Sequence, residues 1–201
     1  GSHEIALMVA AYQKGIRKDG EAIYNAVLKN VTEPGIRHPC KGSTGNPFLD
    51  MYDKYGYMPR EVSVVSKTLD YAYDDWCVAQ LAQALGHKKT AKKLSDRSMN
   101  YKNVFHPETK FVMRRDSSGG WDPEFDVFSN KGFIEGNSWQ YSWYVPHDIS
   151  GLVNFLGKDL FNNRLEEGFA KSAKHKFAAH VFDRTMGQSA EFYINHGNEV
   201  N

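Results

Sequence analysis

The sequence predicts a mainly α chain, built of helical hairpins joined by loops of very unequal length, some of them partly β-hairpin. Three observations carry this. Across residues 66–85, Leu69, Ala72, Tyr73, Trp76, Ala79, Ala82 and Leu85 recur at three and four, the period of one helix face. Shorter stretches with the same period flank it, punctuated by glycines, prolines and capping acids. Residues 105–133 break the rhythm: they are rich in glycine, proline and aromatic side chains, and too long for a structureless connection.

Taken in order, the first helix carries Ile5, Met8, Val9 and Tyr12 at helical spacing and stops at Gly15. Asp19 is placed to cap the second, whose buried stripe is Ile23, Val27 and Leu28. "TEPGIRHPCKGSTGNP" has no period and reads as loop. A short helix follows around residues 48–55, then the connection "YGYMPRE" and the long helix 66–85, ended by Gly86. The alanines on its stripe let a neighbouring helix approach closely. Residues 88–104 form another helix, whose basic run "KKTAKKLSDRS" reads as a solvated face. Short strand pairs are expected around residues 110–114, with "DSSGG" as turn. Helical pattern returns at Trp139, breaks at Pro146 and resumes after Asp148, a good cap for "ISGLVNFLG". "DLFNNRLEEGFAKS" gives a further helix, and residues 185–193 the last. Hairpins of this kind close into a ring with the long loops gathered on one rim; a plain bundle fits the same pattern.

The 201 residues suffice for one sizeable core. With 41% hydrophobic and 24% charged residues the chain is not of disordered composition, and a net charge of +1 leaves no electrostatic footprint for nucleic acid. No apolar run approaches the roughly 20 residues of a membrane span. Cys40 and Cys77 show no metal-ligand spacing; a disulfide between them is not forced, and free thiols account for them as well. Residues 1–3, "GSH", read as an expression-tag scar. "EFYINHGNEVN" ends on a Gly-Asn-Glu cluster poised to continue, so residues 4–201 are expected to be part of one helical domain of a longer chain.

Three places could carry chemistry. Glu135 opens "EGNSWQYSWY". Desolvation by Phe133 and Trp139 would raise its pKa and suit it to donate a proton, whereas a helix beginning just after it would lower the pKa. The plain alternative is that Glu135 only caps that helix. Asp74 and Asp75 lie within the long helix, about 100° apart around its axis, so one can face the interior while the other faces out. An inward acid in an aromatic groove holds sugar hydroxyls or a cation, or is simply ion-paired. Asn198 and Glu199 in "HGNEVN" offer the oxygens a hard cation takes, or merely a turn. For the neighbours His147 and Asp148, a cap role for Asp148 is expected rather than a dyad.

"SVVSKTLDYAYDDWCVAQLAQALG", "RSMNYKNVFHPETKFVMRR", "EGNSWQYSWYVPHDISGL" and "INHGNEVN" together resemble consecutive blocks of glycoside hydrolase family 92, the calcium-dependent exo-acting α-mannosidases, over nearly the whole chain. The resemblance implies part of an (α/α)6 toroid that, with an amino-terminal β-domain, hydrolyses terminal α-mannosides of N-glycans and mannans with inversion. It implies Glu135 as general acid, and Asp75, Trp76, Trp139, Gln140 and His196 as substrate-binding residues. Asn198 and Glu199 are implied as calcium ligands, and export as the destination. Val200 departs from the proline usual after Gly-Asn-Glu, and the family's general base lies in an Asp-rich block expected beyond Asn201. A chain with half of the catalytic pair also fits a second reading, a non-catalytic carbohydrate-binding or structural toroid fragment. Cut toroid faces imply either self-association or a rearranged, compact helical packing.

Overall fold

The computed structural model describes residues 3–16, 18–36, 40 and 44–174. Those residues are mainly helical: α1 (His3–Gln13), α2 (Gly20–Thr32), α3 (Leu49–Tyr55), α4 (Ser66–Ala84), α5 (Lys88–Arg97), a 3-10 helix (Ser98–Val104), α6 (Ser138–Tyr141), α7 (Ile149–Leu156) and α8 (Lys158–Lys174). The chain divides into two compact units, Gly1–Met58 with Lys67–Asn103 and Pro59–Ser66 with Val104–Asn201. The helix expected at residues 185–193 lies outside the described residues, as do His196, Asn198 and Glu199.

In the first unit α1 packs on α2. Ile5 and Val9, then Tyr24, Val27 and Val31, then Val78, Leu81 and Ala82 of α4 and Leu94 of α5 share one apolar cluster. Asp19 caps α2 as expected, accepting from the Ala22 amide at 3.3 Å. The α2 stripe is rotated from the expected one: Tyr24 and Val31 are buried with Val27, while Ile23 and Leu28 are only partly buried. The α4 helix differs more. Of the expected stripe Leu69, Ala72, Ala79 and Ala82 are buried but Tyr73, Trp76 and Leu85 only partly, whereas Tyr71, Val78, Leu81 and both Asp74 and Asp75 are buried. A helix covered on most of its circumference has no outward side for one acid of the pair, and a buried acid must then find a partner. On α5, Ala91 and Leu94 face the core and the lysines remain exposed.

In the second unit the expected strand pairs shrink to two antiparallel bridges, Phe105–Val112 and Arg115–Trp121. The second closes through Asp116, whose side chain accepts from the Gly120 amide at 2.8 Å. On its far side Val112 donates its N–H to the Ser142 hydroxyl (2.9 Å), and its C=O accepts from the Ser138 hydroxyl (2.5 Å). The helix expected at Trp139 is the single turn of α6. Asp148 caps α7 through the Gly151 amide at 2.9 Å, and α7 packs on α8. From α8, Arg164 donates to the carbonyls of Lys110 (2.9 Å) and Thr109 (3.1 Å) and lies 3.8 Å above the Phe111 ring. It thereby fixes a turn in which Lys110 has φ 59°.

Cys40 is exposed and Cys77 buried, and both are free thiols. No helix among the described residues is long and apolar enough to cross a membrane.

Candidate active site

Glu135 sits in the second unit, in the loop that enters α6. Its backbone is left-handed, φ 52°. For a residue with a Cβ that conformation costs on the order of 1–2 kcal/mol, so it persists only where the surroundings impose it. They do so here on both sides. Before it, the Ile134 carbonyl accepts from the Tyr141 hydroxyl at 2.7 Å, and the Ile134 amide donates to the Ser66 hydroxyl at 3.4 Å. After it, Gly136 lies flush against α6: a Cβ there would stand 2.9 Å from the Tyr141 ring and 3.1 Å from Gln140 Oε1. Further back, the Val65 amide donates to the Gly132 carbonyl at 2.8 Å. Gly132 has φ 94°, and a Cβ on it would overlap the Arg114 side chain.

Arg114 is itself tied down, bonding Asp122, which also faces Arg60 at 3.4 Å. Burial pushes the Asp122 carboxyl up, but the Glu124 amide and the Arg114 and Arg60 guanidiniums outweigh it and hold Asp122 below the usual carboxylate range. The loop carrying Glu135 therefore rests on an ionised cluster.

Capping of α6 falls to Asn137, whose side-chain oxygen accepts from the Gln140 amide at 3.1 Å. Glu135 is not the cap. Asparagine directly before a helical turn is the sequence signal for that cap. The Glu135 residue is exposed, so the drying by Phe133 and Trp139 expected from sequence is not realised in this chain. Phe133 packs on Tyr141 at 5.3 Å instead. Trp139 is buried, lying against Phe111 (5.3 Å) and stacked on Phe128 (6.2 Å, 10°). Gln140 is buried beneath the loop, and its Oε1 has no hydrogen-bond partner among the described residues.

Asp75 and Trp76 belong to the first unit. Trp76 is half-buried and stacks on Tyr73 at 6.1 Å. Both carboxylate oxygens of Asp75 accept from Arg97, at 2.8 Å from Nε and 2.6 Å from Nη2. Arg97 also reaches Asp53 and the Val31 carbonyl, each at 2.5 Å. Burial is the largest influence on Asp75 and pushes its carboxyl up to about 7, against the pull of Arg97. Desolvation works against the Arg97 charge, but Asp75 and Asp53 prevail and hold it protonated. Nothing in the local pattern announced Arg97, which stands 22 residues away in what reads as a solvated basic run.

Among the described residues no three His, Cys, Asp or Glu side chains group as a metal ion needs. A depression of about 690 Å³ on the first unit is lined by Lys88, Lys89, Lys92, Lys93, Asp96 and Arg97, and holds none of the candidate sugar residues.

The profile of the glycosyl hydrolase family 92 catalytic domain matches residues 1–201. The chain belongs to glycoside hydrolase family 92. Solved structures of family 92 enzymes agree with that. An inverting mannosidase from Bacteroides thetaiotaomicron VPI-5482 is 38% identical with a TM-score of 0.70, over 76% of this chain and 21% of that one. An α-mannosidase from Bacteroides thetaiotaomicron is 34% identical with a TM-score of 0.74, over 83% and 22%. A protein described as an uncharacterized secreted glycosidase, from Arthroderma benhamiae, is 26% identical over 78% of this chain and 24% of its own. The chain thus spans about a fifth to a quarter of the length of these relatives. The mainly α reading holds, and the family 92 neighbours place the helices in an (α/α)6 lineage.

Proposed function

We propose that this chain carries the proton-donating part of the active site of an inverting, calcium-dependent exo-α-mannosidase. The observation that carries the reading is the built loop at Glu135, a carboxylate held on a left-handed backbone by contacts on either side; the role of general acid is the one the resemblance implies. Left-handed non-glycine residues cluster where function requires a side chain to be aimed. The mannosidase neighbours support the sugar class.

In this reading Glu135 protonates the glycosidic oxygen, the bond from that oxygen to the anomeric carbon breaks, and water adds from the opposite face. The water's proton passes to a base expected beyond Asn201. Inversion needs the two carboxyls roughly 6.5–9.5 Å apart, so that water fits between base and sugar. Gln140 keeps the sugar-contact role the resemblance implies, lying directly under the Glu135 loop at Gly136. Trp139 supports the pocket wall from within its aromatic stack, and Trp76 and His196 keep the sugar-contact roles the resemblance implies. The Asp75 geometry favours a structural brace, because a sugar hydroxyl would have to compete with a guanidinium for both oxygens. Asn198 and Glu199 remain the proposed ligands of calcium, which when bound supplies electrostatic stabilisation of the charge developing on the sugar. Likeness to a secreted glycosidase supports export.

Replacing Glu135 by Gln in the full-length protein tests the acid. Turnover of mannosyl disaccharides should fall by about 10²–10⁴. Mannosides with a good leaving group, which needs no proton, should lose far less. Near wild-type turnover of the disaccharides would sink the assignment.

A further inference from the structure

We propose that Tyr141 is the positioning residue of the Glu135 acid; this deepens the mannosidase reading and rests on it. Tyr141 meets the chain on both sides of Glu135. Its hydroxyl holds the Ile134 carbonyl at 2.7 Å, and its ring is the surface against which Gly136 lies, with room for no Cβ. The two peptide planes that set the direction of the Glu135 side chain are thus referred to a single aromatic ring. That ring does not drift. It is buried, packs on Phe133 at 5.3 Å and meets Tyr144 edge-on at 6.5 Å. The turn that carries it, α6, is anchored at both ends to Val112 through Ser138 and Ser142. Ser66 adds a second, longer tether through the Ile134 amide at 3.4 Å.

The role follows from what a general acid requires. Its proton must lie within hydrogen-bond reach of the leaving oxygen, and small misplacements lose rate rather than binding. A freed Ile134 carbonyl lets the left-handed residue relax, and Glu135 then samples directions that miss that oxygen.

The test is Tyr141→Phe in the full-length protein, which removes the hydroxyl and keeps the ring. For a mannosyl disaccharide, kcat should fall about tenfold with KM changed less than twofold. For an aryl mannoside with a good leaving group, kcat should hardly move. In a Glu135→Gln background the same change should cost nothing more, because the group it aims is gone. Ser66→Ala should give a smaller loss with the same leaving-group dependence. Equal losses on both substrates, or losses that multiply with Glu135→Gln, would overturn the positioning role. If Glu135→Gln alone spares disaccharide turnover, the acid reading falls and this inference falls with it.

Discussion

At residue 135 the backbone conformation and the chemistry point the same way. A left-handed glutamate is a local expense that Ser66, Gly136 and Tyr141 sustain, while capping of α6 falls to Asn137. Asp70 is a second acid in an unfavourable setting. It is half-buried on α4, and burial raises its pKa to about 6, with Lys67 only partly offsetting this. A carboxyl whose folded pKa lies above its unfolded value helps stability below the unfolded pKa, and that help is lost as pH rises through the folded one. Between pH 4 and 6 the chain should therefore lose stability relative to Asp70→Asn. The rise from 3.8 to about 6 corresponds to about 3 kcal/mol, reduced to roughly 2 by partial exposure. Denaturant melts of both forms across that range should show the variant gaining as pH rises. A constant difference would refute the titration.

At the scale of elements, the first unit is tied by Arg97. One guanidinium on α5 bonds Asp75 on α4, Asp53 on α3 and the last turn of α2 at Val31. Such a buried pair is worth little net, but breaking it strands a charge. Arg97→Ala should cost about 3–5 kcal/mol, because Asp75 is left ionisable and unpaired away from water. Arg97→Met with Asp75→Leu, which removes both charges, should recover most of that loss. Urea unfolding of the single and double variants measures the difference, and a double variant no better than Arg97→Ala would refute the brace. In the second unit the corresponding joint is neutral: Ser138 and Ser142 fasten α6 to Val112.

At the scale of the whole molecule, large apolar side chains remain in contact with water. Leu7 is 71% exposed, Ile36 69%, Ile16 67% and Phe169 50%. Monomers seldom leave many such side chains open when they form patches, and the relatives are four to five times longer than the matched stretch. The 201-residue chain by itself should therefore self-associate. Light scattering should give a mass that climbs with concentration, whereas a constant monomer mass near 22.8 kDa would refute this.

Local signals were legible in the sequence because their physics is local. The span of α4, the caps Asp19 and Asp148 and the Gly86 stop each depend on neighbours within a turn or two, and each stands where the pattern puts it. Family membership was legible too, because the Tyr-Asp-Asp-Trp and Glu-Gly-Asn blocks are long. The fold alone decided which polar groups meet. Asp75 found Arg97 across 22 residues, Val112 gave its hydrogen bonds to serines about 30 residues on, and Tyr141 turned back to hold Ile134. A buried polar group must be satisfied by whatever the packed chain brings near it, and periodicity carries no record of that partner.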